Sequence, residues 1–327
     1  MHRRTLLSAA GGLALAPLAA SRTLAQPAWP SRPIMMVAPL AAGSSVDIIA
    51  RVVAQEWSQR LGQPVVVENR PSANGTVALG QVARAAPDGY TATIVAQPQV
   101  AINPYLYTSL PYDPLNSFAL VTRLTTGSNA LVVGAASPFR SIADIVAAAR
   151  AKPGTLTYSS GGVGSTHHIS SAMLGQQARL DLTHVPYRGA PQGIIAVQTG
   201  EVDFAFYNLP TLLPGVRSGQ LRALAVTSPE RTSFLPDVPT MKEAGFPDYE
   251  LTFWSAVATV AGTPEPIVNR LYEATRDMLA SPATQKILTD AGFELAPTLT
   301  PAEMRQLARE DHDRLSPVIR ATGARLD

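Results

Sequence analysis

Between residues 33 and 69 the chain reads PIMMVAPLAAGSSVDIIARVVAQEWSQRLGQPVVVEN, and this unit limits the fold more than any other feature. PIMMVAP is a continuous apolar run, the pattern of a strand covered on both faces, and is expected within 31–39. Small residues follow, then a helix over DIIARVVAQEWSQRLG. Ile48, Ile49, Val52, Val53 and Trp57 recur there at helical spacing, and Gly62 ends it. PVVVEN gives a second strand directly afterwards. A strand, a helix and a strand in this order favour a parallel sheet with a crossover helix.

The rhythm continues. YTATIVA, ALVVGA, LTYSS, LTHVPY, VDFAFYN and LRALAVTS read as strands, with SIADIVAAARA, HHISSAMLGQQARL and APQGIIAVQTG as helices between them. Two amphipathic helices close the chain, with Pro264, Pro266 and Pro301 near their starts, where proline loses no helical hydrogen bond. The segments DPLNSFALVTRLTTGSN and PDYELTFWSAVATVAGTP join two α/β runs, which suggests two sheets.

The first 25 residues are expected to be an export signal: Arg3 and Arg4, an apolar stretch from Leu6 to Ala20, and a small-residue cleavage site at Thr23-Leu24-Ala25. The paired arginines lean towards twin-arginine export. Processing removes Arg3, Arg4 and Arg22, so the formal charge of +2 becomes −1, with 23 basic against 24 acidic residues. Such a balance gives no electrostatic case for nucleic acid or an anionic membrane. With 0 cysteines the chain has neither disulfides nor a lipid-anchored thioether. Roughly 300 residues remain, enough for two domains of ordinary size.

The stretch YSSGGVGSTHHIS, Tyr158 to Ser170, carries the densest polar chemistry. As a P-loop it fails, because GGVGST is followed by His167 and not by lysine. As a nucleophile elbow it fails too, since neither YSSGG nor GVGST is G-x-S-x-G. His167 and His168 lack the i,i+4 spacing of a helical metal site, and His184 and His312 stand alone. What remains is a Gly/Ser loop between a strand and a helix N-terminus, where unpaired N–H groups and the helix dipole favour an anion. AAGSSVDIIAR, Ala41 to Arg51, has the same design. Two such loops could hold one small anion across a crevice, or could be no more than tight connections.

GTLTYSSGGVGSTHHISSAM, LTHVPYRGAPQGIIAVQTGEVDFAFYNLPTLLPGVRSGQLRALAVTS, WPSRPIMMVAPLAAGSSVDIIARVVAQEWSQRLGQPVVVENRPSANG, AINPYLYTSLPYDPLNSF and LPDVPTMKEAGFPDYELTFWSAVATVAGTPEPIVNRL closely resemble the Bug/TctC family of extracytoplasmic solute receptors, in order and over essentially the whole mature chain. The resemblance implies an α/β, two-lobed periplasmic-binding-protein fold of type II-like form, with a ligand cleft between lobes joined by a hinge. Residues 26–125 plus 253–327 would form one lobe and 126–252 the other. It implies a non-catalytic receptor in the periplasm that captures a small carboxylate as a monomer and delivers it to the large and small membrane subunits of a tripartite tricarboxylate-type transporter. No cofactor or metal is implied. A receptor serving a sensor kinase, and a secreted serine hydrolase using Ser165, are the alternatives.

Carried over by position, the first loop supplies Leu40, Ala42, Gly43, Ser44, Ser45 and Asp47, and the second Ser160, Gly161, Gly164, Ser165, Thr166 and His168. Gln97, Tyr187, Gly189, Asp203 and Asn208 complete the expected site. The N–H groups around Gly43–Ser45 and Gly164–Thr166 are expected to meet carboxylate oxygens, with the Ser165 and Thr166 hydroxyls as further donors. Asp47 is expected to order its loop or recruit a water. Ser44 stands where the family has a glycine, Leu40 where it often has an aromatic, and Tyr207 where it often has an aspartate. Tyr207 either packs or reaches into the crevice. Arg188 is expected to be solvated, His167 to face outward, and His168 to order its loop.

Overall fold

The computed structural model describes residues 29–71 and 73–321. Residues 1–25, the expected export signal, lie outside the described residues. The chain opens with strand β1 (Ile34–Ala38), helix α1 (Ser45–Leu61) and strand β2 (Val65–Asn69). Ser44 caps α1 by accepting the Asp47 N–H, and Gly62 ends it in the left-handed region at φ 71°. The helix buries Ile49, Val53 and Trp57, and the indole N–H is satisfied by Thr275 Oγ at 3.0 Å. A short 3₁₀ turn (Ala73–Gly75) leads into α2 (Thr76–Val82), β3 (Thr91–Ala96), α3 (Gln97–Ala101) and α4 (Asn103–Leu106).

The next strand, β4 (Phe118–Gly134), has 17 residues. Beyond it run α5 (Ile142–Ala151), β5 (Thr157–Ser160), α6 (Thr166–Ala178), β6 (Thr183–Pro186), α7 (Ala190–Thr199), β7 (Phe204–Asn208), α8 (Leu209–Arg217) and β8 (Leu221–Val226). The chain then returns through β9 (Thr252–Val260) and ends in α9 (Glu265–Ala280), α10 (Pro282–Asp290) and α11 (Pro301–Ala321).

Strands β2-β1-β3 and β7-β5-β6 are parallel, as the strand–helix–strand rhythm requires. The two joining segments are themselves strands. β4 pairs antiparallel with β9 from Phe118 to Ser128, then with β7 from Asn129 to Val132 and with β8 from Ala130 to Gly134. The hydrogen-bonded path therefore runs β2-β1-β3-β9-β4-β7-β5-β6, with β4 shared between two α/β halves. Register shifts at Leu120/Thr122 and Arg123/Thr125 bend and twist the shared strand, which lets one sheet curl into two.

Each half buries helices on both sheet faces. In the first, Ile34, Met36, Ile49, Trp57 and Leu271 pack on one face, and Val37, Leu79, Val95, Trp254 and Met304 on the other. In the second, Ile169, Leu174, Phe204 and Phe206 pack opposite Val132, Ile194, Val197, Tyr207 and Leu212. Leu315 and Ile319, late in α11, join the Ile169 cluster together with Ile102 and Leu106, so apolar contact links the halves behind the crevice.

Candidate functional site

The loops after β1 and β5 leave the carboxyl ends of their parallel strands, the edge at which open α/β sheets bind ligands. The curl brings these edges together. A methyl group built on Gly189 would lie 2.8 Å from Ala41 Cβ, and one on Gly43 3.5 Å from Pro191 Cγ. Ser45 Oγ donates to Asn208 Oδ1 at 3.3 Å, and Asn74 Nδ2 donates to the Gly164 carbonyl at 3.0 Å. The halves are in direct hydrogen-bonded contact.

The first loop is built from its own donors. Gly43, at φ 77°, gives its N–H to Asp47 Oδ2 at 2.9 Å, and the Ser44 N–H goes to the Ala41 carbonyl at 3.1 Å. Ser44 Oγ accepts from the Asp47 N–H at 3.3 Å, so its hydroxyl serves as the helix cap. Burial pushes the Asp47 carboxyl up. Hydrogen bonds from Arg51, the Gly43 N–H and Asn69 outweigh that and hold it below the usual carboxylate range. Asp47 thus orders the loop. Asn69 also ties the Leu40 carbonyl at 3.2 Å, Leu40 packs partly against the α1 core, and Ala42 is exposed at the rim.

The second loop repeats the device. Gly164, at φ 81°, gives its N–H to His168 Nδ1 at 3.3 Å, and the Ser165 N–H goes to the Gly162 carbonyl at 3.2 Å. Ser165 Oγ donates to the same carbonyl at 2.7 Å while accepting the His168 N–H at 3.3 Å. That hydroxyl is a cap with its proton engaged. The N–H groups of Gly43, Ser44, Gly164 and Ser165 are all used within their loops. The donors without a partner among the described residues are one position further on: Ser45 and Val46 at the start of α1, Thr166 and His167 at the start of α6. A correct helix start predicts this shift, because the cap residue folds the preceding turn onto itself and leaves the first two helical N–H groups exposed.

His167 does not face outward. The ring is buried, donating through Nε2 to Asn208 Oδ1 at 2.8 Å and accepting from the Gly161 N–H at 3.3 Å. Burial drives its pKa down to about 4, against the Asn208 bond, so the ring is neutral at pH 7. The expected outward position fails because β7 covers the side of α6 that His167 occupies: Asn208 ends that strand, and the Tyr207 ring lies 4.5 Å away. His168 orders the loop through Gly164 and stacks on His184 at 4.3 Å, which stacks in turn on Tyr158 at 4.9 Å. His184 Nε2 lies 2.7 Å from Ser160 Oγ, at the end of β5.

Asn208 is the junction of the site. Its Nδ2 donates to Asn129 Oδ1 at 2.8 Å and, more weakly, to Thr166 Oγ at 3.4 Å. Asn129, on the shared strand, donates to Ser170 Oγ at 2.8 Å. Neither Asn129 nor Asn74 is picked out by the sequence reading. Their one signal is an amide beside small residues, in TTGSN and SANG.

Two expected residues, Asp203 and Tyr187, direct their side chains elsewhere. Asp203 accepts from the Thr157 N–H and hydroxyl at 2.7 and 2.8 Å, at the end of β7 opposite Asn208. The Tyr187 phenol donates to Glu201 at 2.6 Å, beyond the C-terminal end of α7, although the Tyr187 N–H stays on the Ser160 carbonyl at 3.0 Å. Tyr207 packs: fully buried, it donates to Ser159 Oγ at 3.1 Å and fills the space above Gly193. Gln97 reaches Asp311, Gly161 lies in the second loop against the His167 ring, Gly189 caps α7 facing Ala41, and Arg188 is exposed. Among the described residues no group of three or more His, Cys, Asp or Glu side chains could hold a metal, and no helix is long and apolar enough to cross a membrane.

Two α/β halves that share crossing strands, with helix N-termini converging between them, define a two-lobed periplasmic solute-binding protein of the type II-like class. Residues 49–324 match the family described as tripartite tricarboxylate transporter family receptor, and the chain belongs to this TctC family. It is similar to an R. palustris protein solved with adipate, at 33% identity and a TM-score of 0.87, covering 91% of this chain and 100% of that one. It is also similar to MatC from Rhodopseudomonas palustris with bound malate, at 30% identity and 0.83, covering 89% and 100%. The periplasmic binding protein BugD matches at 29% identity and 0.84, covering 91% and 99%.

Proposed function

We propose that the chain captures a small carboxylate between the N-termini of α1 and α6 and delivers it in the periplasm to the membrane subunits of a tripartite tricarboxylate-type transporter. One observation carries the reading. The unpaired N–H groups of Ser45 and Val46 lie across the crevice from those of Thr166 and His167, and Ser45 and Asn208 bridge the same gap. Two helix dipoles and four donors favour negative charge there. Adipate and malate in two relatives fit this chemistry.

Residues 26–125 with 253–327 form one lobe in this reading, and 126–252 the other. The hinge is the crossing of β4 and β9 near Ser128 and Thr252, where pairing passes from one half to the other. The ligand closes the lobes because it touches both and so binds the closed state better. Export follows the amino-terminal arginine signal. The engaged Ser165 proton favours a receptor over a hydrolase. A thermal-shift screen of the mature protein against mono-, di- and tricarboxylates tests the function. At least one carboxylate should raise the midpoint in proportion to the logarithm of its concentration, and a panel without effect contradicts the reading.

A further inference from the structure

The buried Gln97 amide supplies a feature that carboxylate binding alone does not use. Its side chain is 2% exposed, and its Nε2 donates to Asp311 Oδ2 at 2.7 Å. That orientation is fixed by chemistry. Asp311 Oδ2 also accepts from Trp254 Nε1 at 2.7 Å, and an indole nitrogen can only donate. Arg314 holds the other carboxylate oxygen at 2.6 Å. The group facing Asp311 must therefore be the NH₂ of the amide, which leaves Gln97 Oε1 as the free acceptor. Oε1 is buried and has no hydrogen-bond partner. A buried acceptor in that state is destabilising unless a donor meets it.

Gln97 stands where a ligand can be that donor. β1 and β3 are parallel, with Val37 opposite Thr93, so Gln97 leaves the sheet at the same edge as Leu40 to Ser45. Two residues on, Gln99 Nε2 donates to the Asn74 carbonyl at 3.2 Å, and Asn74 Nδ2 donates to the Gly164 carbonyl of the other half. Ser128 Oγ, on the crossing strand next to Asn129, is likewise buried without a partner.

We infer that the crevice selects carboxylates bearing a hydrogen-bond donor, a hydroxyl or an ammonium, on the carbon skeleton, and that Gln97 Oε1 accepts it. This rests on the carboxylate reading and narrows it. A site whose buried acceptor needs a donor discriminates against the analogue lacking one.

Calorimetric titration of the mature protein with matched ligands tests the inference: succinate against both enantiomers of malate and aspartate, and glutarate against 2-hydroxyglutarate and glutamate. At least one substituted ligand should bind about tenfold or more tightly than its unsubstituted partner, with one enantiomer preferred. In Gln97→Met the difference in affinity between that ligand and its unsubstituted partner should close. Equal affinities within both series on the wild-type protein overturn the inference, as a water satisfying Gln97 would produce, and this comparison needs no variant. A preference that survives Gln97→Met also overturns it. Neither result disturbs carboxylate binding, whereas a failure of every ligand to bind removes both readings.

Discussion

His167 donates to Asn208 Oδ1 at 2.8 Å, and Ser45, from the opposite half, donates to the same oxygen at 3.3 Å. One amide oxygen thus joins a buried imidazole of one half to the first helical turn of the other.

That arrangement sets a pH dependence. His167, His168 and His184 are each held at about 4 in the folded state, mainly by burial, against about 6.5 unfolded. The unfolded chain binds more protons between these values, so the stability these rings contribute is present above pH 6.5 and is lost as pH falls towards 4. Each ring adds a slope of up to about 1.4 kcal/mol per pH unit. Glu294, pushed up by burial, works in the opposite direction. Urea unfolding at pH 7, 6 and 5 should show a falling midpoint, and His167→Gln, which keeps a donor for Asn208, should flatten the fall. An unchanged slope contradicts a neutral buried His167.

Gly189 offers a probe of closure. Its backbone is extended, at φ 162°, so alanine fits the conformation, yet the added methyl would meet Ala41 of the other half at 2.8 Å. Gly189→Val should weaken carboxylate binding by tenfold or more while the ligand-free melting temperature changes far less, since the clash with Ala41 arises only where the two halves meet. A variant that binds normally would show that the halves do not close on this face.

Much of this was legible in the sequence. The strand–helix–strand rhythm from Ile34 to Asn69 predicts the parallel sheets, whereas the caps Ser44 and Ser165 emerge only from the structure. The crossing was not. TRLTTGSN is polar and small, the composition of a linker, because it leaves one core before entering the next, and only partner strands reveal it as part of β4. Nor could adjacent histidines disclose that both rings are buried, since the covers, Asn208 and His184, are 41 and 16 residues away from their respective partners. The position of Asp203 within GEVDF does not say which end of a strand it marks; only its pairing with Thr157 does.

Ser165 acts on the helix and not on the ligand. Ser165→Ala loses the cap of α6 and the bond to the Gly162 carbonyl, an effect of about 1 kcal/mol. The melting temperature should fall by roughly 2 °C, with less than about a threefold change in carboxylate affinity. A loss of affinity a hundredfold or greater with unchanged stability would place the hydroxyl on the ligand.

Asn74 holds the halves together from a left-handed backbone, at φ 53°. Asn74→Gly removes its bonds to Gly164 and Asn103 without adding strain, so unfolding should change little while the closed form loses a link. Small-angle scattering of the ligand-free variant should give a larger radius of gyration than the wild type. An identical curve would mean that Asn74 does not restrain opening.

The central claim is met most directly by a crystal structure of the mature chain grown with its tightest-binding carboxylate. The carboxylate oxygens are predicted to lie within about 3 Å of the N–H nitrogens of Ser45 or Val46 on one side and Thr166 or His167 on the other. A carboxylate bound by side chains elsewhere, with these four N–H groups facing only water, would contradict it.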